Sequence, residues 1–362
     1  MQKKYFLLNP GPVTLTERVR NSLLQPDMCH REDEFAEMQK RIIDKLKHVY
    51  PSASKTYTPV LLTGSGTAAV EAMLQTFAKH DEKTLVVANG VYGERIANIL
   101  KKQNKPYTMI QSEWQHDIDL SRVEDALKSE KYGYVASVHH ETTTGRLNSI
   151  PALGKLCQKY KVPMLLDGVS SFGGEKINHD EWNITAVAAT ANKCLHSVPG
   201  ISFVQVRNEL LENGVSYSTS VYLDLISYYT NQKSGFSPFT QSVHVLYALE
   251  EALNELKDQG GFEARHKFYI EKSSYIISTL TNAGFELFLD SKDDYSHILI
   301  SFKIPAQFTY ELLHETLKEE GFIIYAGQGN FSGKIFRISI MGEVQISDLD
   351  RLCKNIIKLA GK

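Results

Sequence analysis

The chain has 362 residues, and its 40 Lys plus Arg nearly balance its 42 Asp plus Glu, giving a formal net charge of −2. This balance argues against binding to nucleic acid or to an anionic membrane surface. We expect no secretory signal, because no N-terminal apolar run reaches the length of about 7–15 residues that such a signal needs. We also expect no membrane span, because no apolar run reaches the ~20 residues that cross a bilayer. Four cysteines without a C-x-x-C pair argue against disulfides and a Cys-based zinc site, and favour a cytoplasmic location.

The first two-thirds of the chain are predicted to alternate between strands and helices. An extended arm ends in a Pro-Gly-Pro turn at residues 10–12 and is followed by helices over residues 17–24 and 34–50. Strands are then predicted at 60–62, 84–88, 106–110, 134–138, 163–166, 186–190 and 201–206, with helices at 68–78, 93–102, 121–128 and 150–160. This alternation is typical of a mostly parallel α/β sheet covered by helices on both faces.

The pattern changes near residue 260. A helix over 243–257 precedes a Gly-Gly pair, and the remainder predicts helices at 265–283, 308–320 and 346–359 with strands at 297–301, 322–325 and 334–339. We therefore expect an N-terminal arm (1–20), a large α/β domain (21–258) and a small C-terminal α+β domain (259–362).

Three loops at predicted strand ends carry unusual residues. The turn Thr63-Gly64-Ser65-Gly66-Thr67 precedes a helix, whose N-terminal N–H groups can bind a phosphate, although such a turn is more often only a turn. Asp167 follows an apolar strand and could cap a helix, hold a protonated ring nitrogen or bind a metal. Lys193 follows the next strand, where shelter from water would make it a nucleophile for carbonyls.

A fourth loop reads His139-His140-Glu141-Thr142-Thr143-Thr144. Its histidines suggest a metal, but adjacent side chains leave a strand on opposite faces, so the threonine cluster fits a small polar ligand better. No metal site is expected. A phosphate-binding turn, an Asp after one strand and a Lys after the next are together what pyridoxal 5′-phosphate requires.

These motifs resemble those of the class V aminotransferases of fold type I over nearly the whole chain. The stretches that carry the resemblance are Asn9-Pro10-Gly11-Pro12, Gly64–Ala72, Asn89-Gly90-Val91-Tyr92-Gly93, Asp167–Ser171 and Asn192-Lys193-Cys194. The resemblance implies a mostly parallel seven-stranded sheet between helices in the large domain. It also implies a homodimer with its active sites at the interface.

The resemblance assigns roles to single residues. Lys193 would be the catalytic Schiff-base lysine, and Asp167 the partner of the cofactor's ring nitrogen. The cofactor would also contact Ser65, Gly66, Thr67, Tyr92, Thr142, Thr143, Ser170 and Asn192. Arg337 would clamp the substrate's acidic group, and Gly11 would lie beside the substrate.

Two places depart from the family's pattern. Val243 stands where the family often has a threonine that reaches the partner subunit's cofactor phosphate, and Thr240 or Ser242 could replace it. His30 and Arg31 could face an anionic substrate, or they could lie in a surface loop with Arg31 paired to a neighbouring acid.

Within the class, the stretches 141–145, 170–174, 191–194, 198–200 and 336–338 most resemble the branch that transfers the amino group of 2-aminoethylphosphonate to pyruvate by ping-pong chemistry, giving phosphonoacetaldehyde and alanine. Alternatives remain: an alanine–glyoxylate or serine–pyruvate enzyme, or a phosphonate-biosynthetic enzyme running in reverse. A cysteine desulfurase is disfavoured because no late loop carries a cysteine. A catalytically inactive relative that acts as a binding or regulatory protein is disfavoured, because Lys193 and Asp167 are both present.

Overall fold

The computed structural model describes residues 5–361, so the first four residues of the predicted arm and the last residue of the predicted C-terminal domain lie outside it. Its α-helices, α1 to α12, are Glu17–Ser22, Asp33–Lys47, Gly66–Phe77, Val91–Lys102, Leu120–Ser129, Ile150–Tyr160, Asn208–Asn213, Leu225–Lys233, Val243–Asp258, Gly261–Asn282, Tyr310–Glu319 and Ile346–Leu359. Across this described part, no helix combines the length and the apolar character that crossing a bilayer requires.

The strands, β1 to β14, are Phe6–Leu7, Tyr57–Thr63, Thr84–Ala88, Tyr107–Gln111, Tyr134–Val138, His140–Glu141, Arg146–Leu147, Met164–Asp167, Ile184–Thr190, Ile201–Arg207, Leu299–Lys303, Phe322–Ile323, Tyr325–Ala326 and Ile335–Ser339. Seven of them form one sheet in the order β2-β10-β9-β8-β5-β3-β4. Only β10 runs antiparallel to its neighbours in this sheet. The expected seven-stranded, mostly parallel α/β sheet is therefore confirmed.

Helices cover both faces of this sheet, which explains why its inner strands β3, β5, β8 and β9 are buried along their whole length. Successive side chains of a strand point to opposite faces. In β3, Leu85 and Val87 accordingly join one hydrophobic core with α2, α6 and α9, whereas Val86 and Ala88 join a second core with α3, α4 and α8. Both faces are buried, as is usual for parallel sheets.

A third core lies in the C-terminal part of the chain. The antiparallel sheet β11-β14-β13 packs with α10, α11 and α12, and the buried residues of this core are Leu8, Val13, Cys194 and residues from Tyr269 onward. The N-terminal arm joins it, because β1 pairs in parallel with β12 and Leu8 is buried there. We propose the domain boundary at residue 258 on this basis, although Phe262 still packs in the first core.

The structure also contains elements that the hydrophobic pattern does not predict. The hairpin β6–β7 has two residues in each strand, too few for an alternation to be visible, and the predicted strand 322–325 is divided into β12 and β13. Helix α8 is missed because its sequence, Leu225–Lys233, has little amphipathic periodicity. It nevertheless covers the edge strand β2.

Gln232 on α8 completes the hydrogen bonding of that edge strand. Its buried side chain accepts from the backbone N–H of Leu61 at 3.0 Å and donates to the Leu61 carbonyl at 2.8 Å. We predict that Gln232→Leu lowers the free energy of unfolding by about 2–4 kcal/mol, because two buried backbone groups lose their partners. Urea unfolding of the cofactor-free protein, with exposed Gln25→Leu as the control, measures the change. Equal stability of the two variants would contradict this role.

Candidate active site

A cavity of about 520 Å³ opens at the carboxyl edge of the seven-stranded sheet. The strands β2, β8 and β9 all end at this edge, at Thr63, Asp167 and Thr190. Ligands of open α/β sheets bind at this edge. The cavity is lined by Pro10, Gly11, Thr63, Gly64, Ser65, Gly66, Thr67, Val70, Tyr92, Arg95, Asp167, Val169, Thr190, Asn192, Lys193, Pro199 and Gly200.

Lys193 is nearly buried in this cavity, with 9 % of its surface exposed. Its Nζ donates to the Ser170 Oγ at 2.6 Å and lies 5.6 Å from the centroid of the Tyr92 ring. Asn192 beside it accepts from the Thr190 hydroxyl at 2.7 Å. The lysine amine is therefore held at a fixed point next to an aromatic face.

Asp167 lies at the end of β8 on the same wall. Its Oδ1 accepts from the backbone N–H of Val169 at 2.9 Å. Burial raises the pKa of Asp167, and the hydrogen bond from Val169 and the charges of Lys193 and Arg95 oppose that rise. A buried carboxylate with one open oxygen suits a cationic ring N–H.

The first turn of α3 forms a cradle for an anion. Ser65 precedes the helix without a side-chain cap bond, which leaves its hydroxyl and the first N–H groups of α3 for a ligand. Gly66 must be glycine, because a Cβ there would lie 2.5 Å from a methyl carbon of Val169. Gly11 lies opposite, where a Cβ would come within 3.1 Å of the Lys193 side chain.

Arg95 is a cavity residue that the sequence reasoning missed. Its guanidinium lies 4.6 Å from the Tyr92 ring centroid, and it donates to the Thr67 hydroxyl at 3.2 Å. It follows Tyr92 by three residues on α4, the spacing that places two side chains on one helix face, and this spacing was the available signal. Arg95 therefore supports Tyr92 and adds positive charge beside the anion cradle.

Glu141 is fully buried beneath the N-terminus of α4. It accepts from the backbone N–H groups of Tyr92 at 3.2 Å and Gly93 at 3.4 Å, and from the Thr143 hydroxyl at 2.5 Å. The Thr143 hydroxyl also accepts from the Val91 N–H at 3.2 Å. The Thr143 hydroxyl is therefore already hydrogen-bonded to Glu141 and to the start of α4. The expected contact of Thr143 with a cofactor stays a prediction.

Thr142 differs from its neighbour. Its buried hydroxyl has no hydrogen-bond partner, and its carbonyl accepts from Nη1 of Arg337 at 2.6 Å. An unpartnered buried hydroxyl is costly unless a ligand completes it. Thr142 is therefore the better candidate of the two threonines for a ligand contact.

The two adjacent histidines, His139 and His140, contact the segment that carries Ser170. His140 contacts the Ser170 carbonyl at 3.2 Å and the Ser296 hydroxyl at 2.8 Å, while His139 contacts the Ser171 hydroxyl at 2.9 Å. Burial lowers the pKa of both imidazoles to about 4, so both are neutral at physiological pH. His140 thereby fixes the residue that receives the hydrogen bond from Lys193.

Arg337 is fully buried on β14, outside the wall of this cavity. Its guanidinium donates to the carbonyls of Ala326 and Thr142, and burial lowers its pKa. Within residues 5–361 no carboxylate forms an ion pair with it. The cation is thus available to an acidic ligand that reaches Thr142.

Three further predicted site residues are not brought into the cavity of this chain. His30 is half-buried against Phe35, and exposed Arg31 donates to the Ser237 carbonyl at 3.0 Å rather than pairing with a neighbouring acid. Thr240 is exposed, and Val243 is the first residue of α9. Their predicted contacts remain predictions.

Comparison with known proteins identifies the class. The family model described as Aminotransferase class-V matches residues 24–352. The chain therefore belongs to the class V aminotransferases, and its cofactor is pyridoxal phosphate.

Individual relatives are similar over the full length. A 2-aminoethylphosphonate–pyruvate transaminase from Vibrio vulnificus (strain YJ016) is 37% identical over 99% of this chain and 98% of its own length. A bifunctional phosphonoacetaldehyde hydrolase/aminoethylphosphonate transaminase from Clostridioides difficile (strain 630) is 34% identical over the whole chain, which spans only 57% of that relative. The crystal structure of pyridoxamine–pyruvate aminotransferase from Mesorhizobium loti has a TM-score of 0.91 at 23% identity, covering 100% of this chain and 94% of that one, and shows the same fold.

The residues present fit this cofactor. Pyridoxal phosphate needs an anion cradle, a carboxylate for its ring nitrogen and a lysine for its aldehyde. The uncapped start of α3, Asp167 and Lys193 supply these around one cavity. Thr142, whose buried hydroxyl is unpartnered, does not line that cavity. The sequence-based grouping of these residues therefore agrees with the fold.

Burial of Glu141 yields a prediction about pH. Burial raises the pKa of Glu141 from 4.5 to about 7. The folded protein therefore holds the proton more tightly than the unfolded chain does. The stability that this gives is fully present below pH 4.5 and is lost as the pH rises through 7. The variant Glu141→Gln lacks this titration. We expect the Tm of the cofactor-free native protein to fall, relative to Glu141→Gln, between pH 5 and pH 8.

Thermal unfolding followed by circular dichroism tests this, with the exposed Glu209→Gln variant as the control. A Tm difference between native protein and Glu141→Gln that stays constant with pH would contradict the buried titration.

Proposed function

We propose that this chain transfers the amino group of 2-aminoethylphosphonate to pyruvate, releasing phosphonoacetaldehyde and alanine in two half-reactions at one site. The choice of substrates rests on the similarity to relatives of that name, which reaches 37% identity over 98% of the relative's length. The same residues would serve the reverse, biosynthetic direction. The transfer itself rests on the fixed position of Lys193 beside Asp167.

Lys193 is the proposed proton carrier. When bound, pyridoxal phosphate supplies an electron sink conjugated to the substrate's amino group. Lys193 Nζ would carry the cofactor at rest and, once free, remove the proton from the substrate carbon that bears the nitrogen. The Ser170 hydroxyl at 2.6 Å orients that amine, and His140 fixes Ser170 through its carbonyl.

Other residues would hold and orient the cofactor. The carboxylate of Asp167 would keep the ring nitrogen protonated, and Tyr92, backed by Arg95, would cover the ring. Ser65, Gly66 and Thr67 would bind the phosphate through hydroxyl and N–H groups. The remaining proposed contacts are those of Ser170, Asn192, Thr142 and Thr143.

Arg337 is proposed to receive the substrate's acidic group. Its guanidinium is fully buried and positively charged, and among residues 5–361 its hydrogen-bond acceptors are the carbonyl and amide oxygens of Ala326, Thr142 and Gln328. Such a cation gains strongly from a carboxylate or phosphonate because it can form two parallel hydrogen bonds. Gly11 leaves space for the substrate next to Lys193.

We further propose a cytoplasmic homodimer with active sites at the interface. Val221 is 82% exposed, and its neighbour Tyr222 donates to the Thr63 carbonyl at the cavity, so apolar surface lies beside the site. Thr240 would then reach the cofactor phosphate of the partner subunit, and His30 and Arg31 would add positive charge for an anionic substrate. The four free cysteines support a reducing compartment.

A panel of amino donors tests the proposed substrates. We expect 2-aminoethylphosphonate with pyruvate to give a kcat/KM at least tenfold above that of serine or phosphonoalanine with pyruvate, and above that of alanine, serine or phosphonoalanine with glyoxylate. Chromatographic measurement of the amino acid formed, alanine from pyruvate or glycine from glyoxylate, gives the rates. Preference for alanine or serine with glyoxylate would identify another activity of the same class.

The variant Arg337→Ala tests whether the buried guanidinium binds the substrate's acidic group. Loss of a charge-assisted pair should raise the KM for 2-aminoethylphosphonate roughly tenfold to hundredfold. Arg337→Lys keeps the positive charge but cannot form two parallel hydrogen bonds. Its KM should therefore lie between those of Arg337→Ala and the native protein. An unchanged KM in a folded Arg337→Ala protein would remove Arg337 from the substrate site.

A further inference from the structure

A second group of chemically reactive side chains lies away from the cavity. One carboxylate oxygen of Glu175 and one ring nitrogen each of His266 and His297 all lie within 4.8 Å of one another. Glu175 follows the segment that carries Ser170, His266 belongs to α10, and His297 precedes β11. Because the three come from distant parts of the chain, the tertiary fold alone brings them together.

The carboxylate of Glu175 is buried, and the ionisable groups next to it are two histidines. Its side chain is 2% exposed. One carboxylate oxygen accepts from the backbone N–H of His297 at 2.6 Å, and the other lies 3.1 Å from His297 Nδ1 and 3.6 Å from His266 Nδ1. Between residues 5 and 361, no lysine or arginine lies within ion-pair distance of it. A buried carboxylate needs a cation nearby. The groups around it are imidazole nitrogens, which can supply that cation as a proton or hold it as a metal.

We propose that Glu175, His266 and His297 form a binding site for a divalent transition-metal ion, with Zn²⁺ as the expected occupant. Two imidazole nitrogens and one carboxylate oxygen suit Zn²⁺, Co²⁺ and Ni²⁺, whereas Mg²⁺ and Ca²⁺ prefer oxygen ligands. The metal charge would also neutralise the buried carboxylate.

Small side-chain movements suffice to close the site. Ligands of tetrahedral zinc lie about 3.4 Å apart, given zinc–nitrogen distances of ~2.0–2.1 Å. His297 would exchange its contact with Glu175 for the metal, and His266 would give up its 2.8 Å hydrogen bond to the Gly174 carbonyl. A neutral imidazole would bind the metal through Nδ1 as its Nε2–H tautomer, and a charged imidazole would release its Nδ1 proton to solvent. Both histidines are partly exposed, which gives the ion a path and leaves room for a water ligand.

The position of the site indicates a structural effect. Glu175 lies five residues after Ser170, and His297 follows Ser296, whose hydroxyl contacts His140. A bound metal would therefore tie the loop after β8 to α10 and to the start of β11. It touches no lining residue of the cavity, so we expect it to stabilise the fold and to take no part in the reaction.

Metal binding to the tag-free, cofactor-loaded protein tests the proposal. Equilibrium dialysis against Zn²⁺, with metal counted by mass spectrometry, should give one Zn²⁺ per chain. Glu175→Gln and His297→Ala should each weaken binding at least tenfold. The matched control is Glu113→Gln, in the exposed pair Glu113–His116, and should bind as the native protein does.

Two further readouts keep the test independent of activity. Co²⁺ should give visible absorption bands beyond those of the cofactor in the native protein and in Glu113→Gln, but not in His297→Ala. Zn²⁺ should raise the Tm of the native protein by several degrees and leave that of Glu175→Gln unchanged. Absence of Zn²⁺ from the native protein, or equal binding by His297→Ala, would overturn the proposal.

Discussion

The site depends on the parallel register of β8 and β9, which end side by side at one edge of the sheet. Asp167 pairs with Ala188 in that register, and Lys193 follows the end of β9 after two further residues. A cation and a carboxylate on these strand ends must therefore face a common space. The hydrogen bond from Lys193 to Ser170 then fixes the amine, and the supporting contacts of His140 act on Ser170 rather than on the lysine itself.

Several charged side chains lie around this edge, although the whole chain is almost neutral. Lys193 and Arg95 face Asp167 in the cavity, and buried Arg337 and Glu141 lie close behind it on either side of the threonine loop. In low-dielectric surroundings each of these charges depends on its neighbours for compensation. An anionic cofactor and substrate would complete this balance. The net charge of −2 therefore carries little information about the site.

Much of the architecture could be predicted from the sequence because apolar periodicity follows secondary structure directly. Strands β3 and β5 and helices α6 and α12 have the predicted bounds. The motif residues Ser65, Gly66, Asp167 and Lys193 converge because parallel strands present their carboxyl ends together. Helix α8 was missed because its role, closing the edge of β2 through Gln232, depends on a tertiary contact and leaves no periodic signal.

The hydrogen-bond partners of side chains could be predicted less well than the places of residues along the sheet edge. Nothing in a linear pattern indicates that Thr143 is engaged by Glu141 while the hydroxyl of Thr142 is left open, or that Glu175 meets two histidines from the C-terminal part of the chain. Arg95 was within reach of sequence reasoning through its spacing from Tyr92. Thr240, His30 and Arg31 do not line the cavity of this chain, so their contacts with a ligand stay predictions.

The identity of the lysine that carries the cofactor is the most direct test of these conclusions. Borohydride reduction of the cofactor-loaded protein, followed by proteolysis and mass spectrometry, fixes the cofactor to that lysine and locates it. The structure predicts the pyridoxyl mass on the peptide containing Lys193, reduced in amount when excess 2-aminoethylphosphonate is added first. The label on another lysine, such as buried Lys105, or no label in a protein that binds the cofactor, would contradict the assignment.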